Sequence, residues 1–147
     1  MINDGNDFRN FQIAIVRMRI AFRECLQRTL RQHGINVSYE TIQVLSTLWR
    51  EEGIPQQVLA ARTAKGKAAL SSLMNILEEK GCIERREDPA DRRNKLVYLT
   101  PQGRAFWDRI LPLLNDLYAR LEGDVSLERI RLMTHDLTTI QHALENA

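Results

Sequence analysis

The chain has 147 residues, 44% of them apolar and 27% charged, with a formal net charge of +2. This is enough apolar material for one domain with a real core and excludes an unstructured chain, while the near-neutral balance makes the placing of basic side chains more informative than their sum. The opening MINDGNDFRNFQ has no basic stretch followed by an apolar one, and no apolar run approaches the about 18 residues of a membrane span, so a cytoplasmic protein with no membrane partner is expected. Cys25 and Cys82 form no CxxC pair, so each is read as a small buried hydrophobe and neither as a disulfide partner nor a metal ligand.

A first helix is expected over 8–33, because Phe8, Phe11, Ile15, Met18, Phe22, Cys25 and Thr29 recur at steps of three and four. Ile13, Val16, Ile20, Leu26 and Leu30 lie off that stripe, so the helix should touch two partners. Gly34, Gly53, Gly81 and Gly123 are read as helix stops, since the residue after a helix often turns left-handed. Ser38 caps a second helix with Glu40 in its first turn and Ile42, Leu45, Leu48 and Trp49 inward. Pro55 starts a short third helix carrying Val58, Leu59 and Arg62, and a break follows at 64–66.

The fourth helix, over 67–80, has one narrow apolar stripe of Leu70, Leu73, Met74 and Leu77. At 100° per residue the opposite face carries Lys65, Ala68, Ser72, Asn75 and Glu79, with Ala69 and Ser71 on its flanks. Strands are expected at 83–87 and 95–99, separated by the polar loop DPADRRN. Thr100 and Pro101 cap a fifth helix with Phe106, Ile110, Leu113, Leu117 and Leu121 inward, a bend at Pro112 and a stop at Gly123. Ser126 caps a sixth, in which Ile130, Met133, Leu137, Ile140 and Leu144 again step by three and four.

Short helices followed by a two-stranded hairpin make a helix-turn-helix with a wing, in which the last helix enters a major groove of double-stranded DNA. Arg85, Arg86, Arg92, Arg93 and Lys95 cluster where such a wing meets a phosphate backbone, and arginine's planar fork suits phosphates and narrow minor grooves. Asp91, Arg93, Leu99, Thr100 and Gly103 stand in the pattern D-x-R-x5-L-T-x2-G, which resembles the wing signature of the MarR family of bacterial transcription regulators. Leu59 and Ala60, and the register of Leu70, Leu73, Leu77, Glu78 and Gly81, resemble that family's helix-turn-helix.

The resemblance implies a mainly α fold with a small β-hairpin. It implies one MarR-like domain over 1–147, with a winged lobe at 38–100 and dimerisation helices at 8–33 and 104–146. The homodimer interface would use Phe8, Phe11, Ile15, Met18, Ile130, Met133, Leu137, Ile140 and Leu144. Arg93 would enter the minor groove, Asp91 would hold its guanidinium, and Arg92 would meet phosphate; Asp91 also suits a turn after Pro89.

On the recognition helix, Asn75 is the side chain suited to bidentate base contact, while Ala68, Ala69, Ser71 and Ser72 are small enough for a close approach. Lys65, Lys67, Arg85, Arg86 and Lys95 are expected on the phosphate backbone. Gly66 stands where the family more often has a polar cap, so that helix start should be weakly held.

The resemblance also implies control by a small aromatic or anionic effector; Trp49, Tyr39, Tyr118 and His33 could lie near its crevice, but Trp and Tyr at helical spacing are read first as core, so no pocket is read from them. Two readings compete: oxidant sensing through Cys25, which its place in the apolar stripe disfavours, and a winged helix that binds an acidic protein. His33, His135 and His142 are scattered and no HExxH or nucleophile motif occurs, so neither catalysis, a cofactor nor a metal is expected.

Overall fold

The computed structural model describes residues 6–63 and 66–147, which fall into two compact units, one ending at Ile110 and the other running from Leu111 to Ala147. The first unit contains α1 (Asp7–Gln32), α2 (Tyr39–Arg50), β1 (Ile54–Pro55), α3 (Gln56–Thr63), α4 (Lys67–Glu79), β2 (Ile83–Asp88), β3 (Asp91–Leu99) and the opening turns of α5 (Pro101–Val125). The second contains the rest of α5 and α6 (Leu127–Glu145). Helices and one small antiparallel sheet therefore make up the mainly α fold that the sequence leads one to expect.

Side chains start three helices as their sequence suggests. Asn6, Ser38 and Ser126 accept hydrogen bonds from the backbone N–H groups of Arg9, Thr41 and Arg129, which fills donors that a helix leaves open in its first turn. Gly66 precedes α4 in extended conformation and supplies no side-chain cap. Gly34, Gly53 and Gly81 end their helical segments with φ of +74°, +72° and +76°. Gly123 does not: it lies inside α5, which continues to Val125, and the positive φ falls instead on Ser126. A helix tolerates glycine at about 1 kcal/mol, so a glycine by itself does not end one.

The sheet has the order β1-β3-β2. β1 is an addition to the expected hairpin, pairing Ile54 with Val97 and Pro55 with Leu96. Pro55 thus lies in an edge strand and α3 begins one residue later; a two-residue strand is too short to show a period of two, and an edge tolerates proline's missing N–H. The hairpin is longer than 83–87 and 95–99. β2 runs on to Asp88 and β3 begins at Asp91, so most of DPADRRN is strand and the turn is reduced to Pro89 and Ala90, with Asp88 accepting from the Ala90 N–H at 2.9 Å. Backbone pairing holds this water-exposed ribbon, so no apolar alternation marks it.

The core of the first unit gathers Leu26, Leu30, Leu45, Leu48, Leu59, Leu70, Met74, Ile83, Val97 and Ile110 around Trp107, which is 1% exposed. Trp107 is a core residue that the stripe expected from Phe106 passes over, although it stands at steps of three, four and three with the buried Ile110, Leu114 and Leu117. Trp49, expected inward, is 41% exposed and sets its ring against that of Trp107, centroid to centroid 6.0 Å. Tyr118 and Leu121 are exposed rather than core, His33 is exposed, Leu113 is half-buried beside a buried Leu114, and Cys25 is half-buried whereas Cys82 is buried.

On α1 the second apolar set divides. Leu26 and Leu30 enter the core, whereas Ile13, Val16 and Ile20 remain exposed together with Phe8 and Met18. Considered by itself, α6 buries no residue, and Leu127, Leu132, Met133, Leu137 and Leu144 lie in solvent, with Ile130 and Ile140 half-buried.

The end of the sequence pattern has a mechanical purpose. Thr100 donates its hydroxyl to the Gly81 carbonyl and accepts from the Gly103 N–H at 3.0 Å. A Cβ on Gly103 would overlap the carbonyl oxygen of Cys82, so only glycine lets the start of α5 lie this close to the α4–β2 connection. The base of the hairpin is clamped there.

Candidate nucleic-acid interface

The hairpin projects from the sheet beside α3 and α4. A groove of about 300 Å³ separates them, lined by Gln56, Gln57 and Ala60 from one side, Lys67, Leu70 and Ser71 of α4, and Arg93, Asn94 and Lys95 of the wing. Basic side chains from α4 and from the wing thus face one trough, which is the arrangement an anionic polymer requires.

The wing cations differ in how they are held. The Arg93 side chain is 93% exposed, and Asp91 Oδ1 accepts from its backbone N–H at 3.0 Å and from Nε at 3.4 Å, so the carboxylate serves both as turn former and as guanidinium anchor. Arg92 is exposed. Lys95 has Glu87 at 3.6 Å. Arg86 pairs with Glu84 and lies over the Tyr98 ring, 4.4 Å from its centroid.

Arg85, expected on phosphate, points into a network of its own lobe. Nε and Nη2 donate to Glu78 Oε2 and Oε1 at 3.1 and 3.0 Å, Nη2 also donates to Asn75 Oδ1 at 2.7 Å, and Nη1 donates to Gln56 Oε1 at 3.4 Å. The hydrogen bond from Arg85 holds the Glu78 carboxyl below its usual range, and the same bond raises the guanidinium's affinity for its proton. Gln56 and Glu78 join the site from α3 and α4 by this route, which no spacing in the sequence reveals.

On α4, Leu70, Met74 and Leu77 are buried and Leu73 half-buried, which leaves Lys67, Ala68, Ala69, Ser72, Asn75 and Glu79 exposed and Ser71 at the edge. Lys65 lies outside the described residues. Among the described residues no group of three or more His, Cys, Asp or Glu is placed to hold a metal, and no helix is long and apolar enough to cross a membrane.

This geometry, short helices ending in a small-faced α4 beside a basic hairpin, has counterparts. Residues 33–94, from the end of α1 through the turn of the wing, match the model of the MarR family. The matched segment carries α2, α3, α4 and the tip of the hairpin, which are the elements that build the groove.

The chain is 28% identical over 89 residues to the transcriptional regulator HosA of Escherichia coli O111:H-, which covers 60% of this chain and 66% of HosA, so the match spans about two thirds of that relative. In fold it resembles the transcriptional regulator BldR of Sulfolobus solfataricus, with a TM-score of 0.82, 22% identity, and coverage of 97% of this chain and 99% of that one. It also resembles a cysteine-to-serine mutant of MarR from E. coli complexed with operator DNA, with a TM-score of 0.79, 21% identity and coverage of 95% and 99%. The architecture is the winged helix of MarR-like structures.

Proposed function

We propose that this chain is a sequence-specific DNA-binding transcription regulator acting in the cytoplasm as a homodimer, most simply a repressor that excludes polymerase from a promoter. The observation that carries the reading is the pairing of Arg93 and Asp91. An exposed guanidinium, anchored at its root by a carboxylate, stands across a groove from the exposed Lys67 at the start of α4. The wing would place Arg93 in a minor groove while Lys67, Ala68, Ser71, Ser72 and Asn75 approach the neighbouring major groove, with Arg92 and Lys95 on phosphate.

Two subunits imply a nearly palindromic operator with half-sites roughly 10 base pairs apart. Selection from random duplex DNA with the purified protein tests this: enrichment of one such sequence is expected, and a pool that stays random would overturn the reading.

Control by a small aromatic or anionic effector belongs to the same proposal. A cleft of about 460 Å³ joins Ile35, Leu73, Ile76 and Phe106 with Lys80 and Arg109 at its polar side, a combination that suits an apolar ring bearing an acid. Repeating the selection with phenolic acids present tests it, with loss of DNA retention as the expected result and undiminished retention across the series as the adverse one.

A further inference from the structure

Asn75 is the outward-facing amide of α4, and a free asparagine recognises adenine by donating to N7 and accepting from the N6 amino group at once. Here Arg85 already holds its acceptor, taking one of the oxygen's two lone pairs. The atom 2.7 Å from Arg85 Nη2 must be the carbonyl oxygen, because a guanidinium can only donate. Arg85 is not free to turn away, since Nε and Nη2 grip both oxygens of Glu78, Nη1 reaches Gln56, and its backbone is paired with Val97 in the sheet. The fork therefore fixes the amide from behind and leaves its N–H groups as the outward polar atoms.

Resting on the DNA-binding reading above, we infer that Arg85 is a positioning residue that sets base specificity: by occupying the Asn75 oxygen it turns this asparagine from an adenine reader into a donor-only reader. Guanine offers two acceptors side by side, N7 and O6, on its major-groove edge, whereas adenine sets its own N6 donor against the amide. The base pair under Asn75 is accordingly G·C. The neighbouring exposed positions Ala68 and Ser72 are small and leave room for the amide to reach the bases.

The test measures affinity for the selected operator with each base pair varied in turn, for wild type, Arg85→Met, Asn75→Ala and the double variant. The position whose preference disappears in Asn75→Ala is the one under the amide. There wild type should favour G·C over A·T by about tenfold, and Arg85→Met, which keeps the side chain's length but no donor, should move the preference toward A·T by a similar factor. In the Asn75→Ala background the same Arg85 change should move no preference, an outcome that a merely structural effect of Arg85 would not produce.

Arg85→Lys keeps a cation beside Glu78 without the fork and should give the same shift if the methionine variant fails to fold. Wild-type preference for A·T, a uniform loss of affinity with no change of base, a shift that survives in Asn75→Ala, or no position sensitive to Asn75 would each overturn the inference while leaving DNA binding intact. Enrichment of no sequence by wild type would instead remove the reading on which it rests.

Discussion

Arg93 and Glu78 illustrate two uses of the same charge chemistry. Arg93 reaches outward from an anchored root, so its removal should weaken operator binding by about 1 to 3 kcal/mol without unfolding the lobe. A gel-shift titration of Arg93→Ala measures this, and unchanged binding would exclude Arg93 from the interface. Glu78 faces inward to Arg85. Its folded pKa is lowered from the ordinary 4.5, first by the side-chain hydrogen bond from Arg85, so the stability it contributes is present above the unfolded value and lost as pH falls through the folded one. Nearly half of the carboxylate's surface meets water, so the contribution is small. The stability gap between wild type and Glu78→Gln in urea should therefore be present at neutral pH and close in acid. A gap independent of pH would mean that the ion pair contributes nothing.

Among the elements, the junction of the hairpin with α5 is the least tolerant. Thr100 and Gly103 close it, and Gly103→Ala forces a methyl group against the Cys82 carbonyl, for which a loss of about 3 kcal/mol is expected in chemical denaturation. A loss near zero would show that the connection yields easily. Legibility follows pattern length: the α4 stripe of Leu70, Met74 and Leu77 repeats over two turns and is read from spacing, whereas β1 is two residues long and carries no period. Residues 91–94 have the charge of a loop, yet they continue β3 in extended conformation, with Asp91 paired to Asp88 beyond a register shift that passes over 92–94. On α5 two apolar stripes share Ile110 and Leu117, and the folded structure buries the one through Trp107 and Leu114, leaving Phe106 and Leu113 half-buried.

For the whole molecule, α1 exposes Phe8, Ile13, Val16, Met18 and Ile20, and α6 exposes Leu127, Leu132, Met133, Leu137 and Leu144, apolar surfaces of the kind that mark interaction sites. The homodimer proposed above would cover them. Sedimentation equilibrium should give a dimer for wild type, and Met133→Glu with Leu137→Glu should shift it toward monomer and abolish binding to a palindromic site; a wild-type monomer would exclude the dimer model. With Lys67, Arg92, Arg93 and Lys95 facing outward in each subunit, log K should fall with log[salt] with a slope of at least about −4 per dimer. A much shallower dependence would mean that too few phosphates are met.

Sequence alone determined the order and type of the long elements, the stops at Gly34, Gly53 and Gly81, the caps at Ser38 and Ser126, and the wing signature ending at Gly103. These depend on periodicity and on the backbone needs of single residues, which are local. Tertiary structure alone decided which cations stay free. Arg85 meets Glu78, Asn75 and Gln56 at separations of 7, 10 and 29 residues, so its turn away from solvent, and with it the orientation of Asn75, arises only when β2, α4 and α3 are brought together.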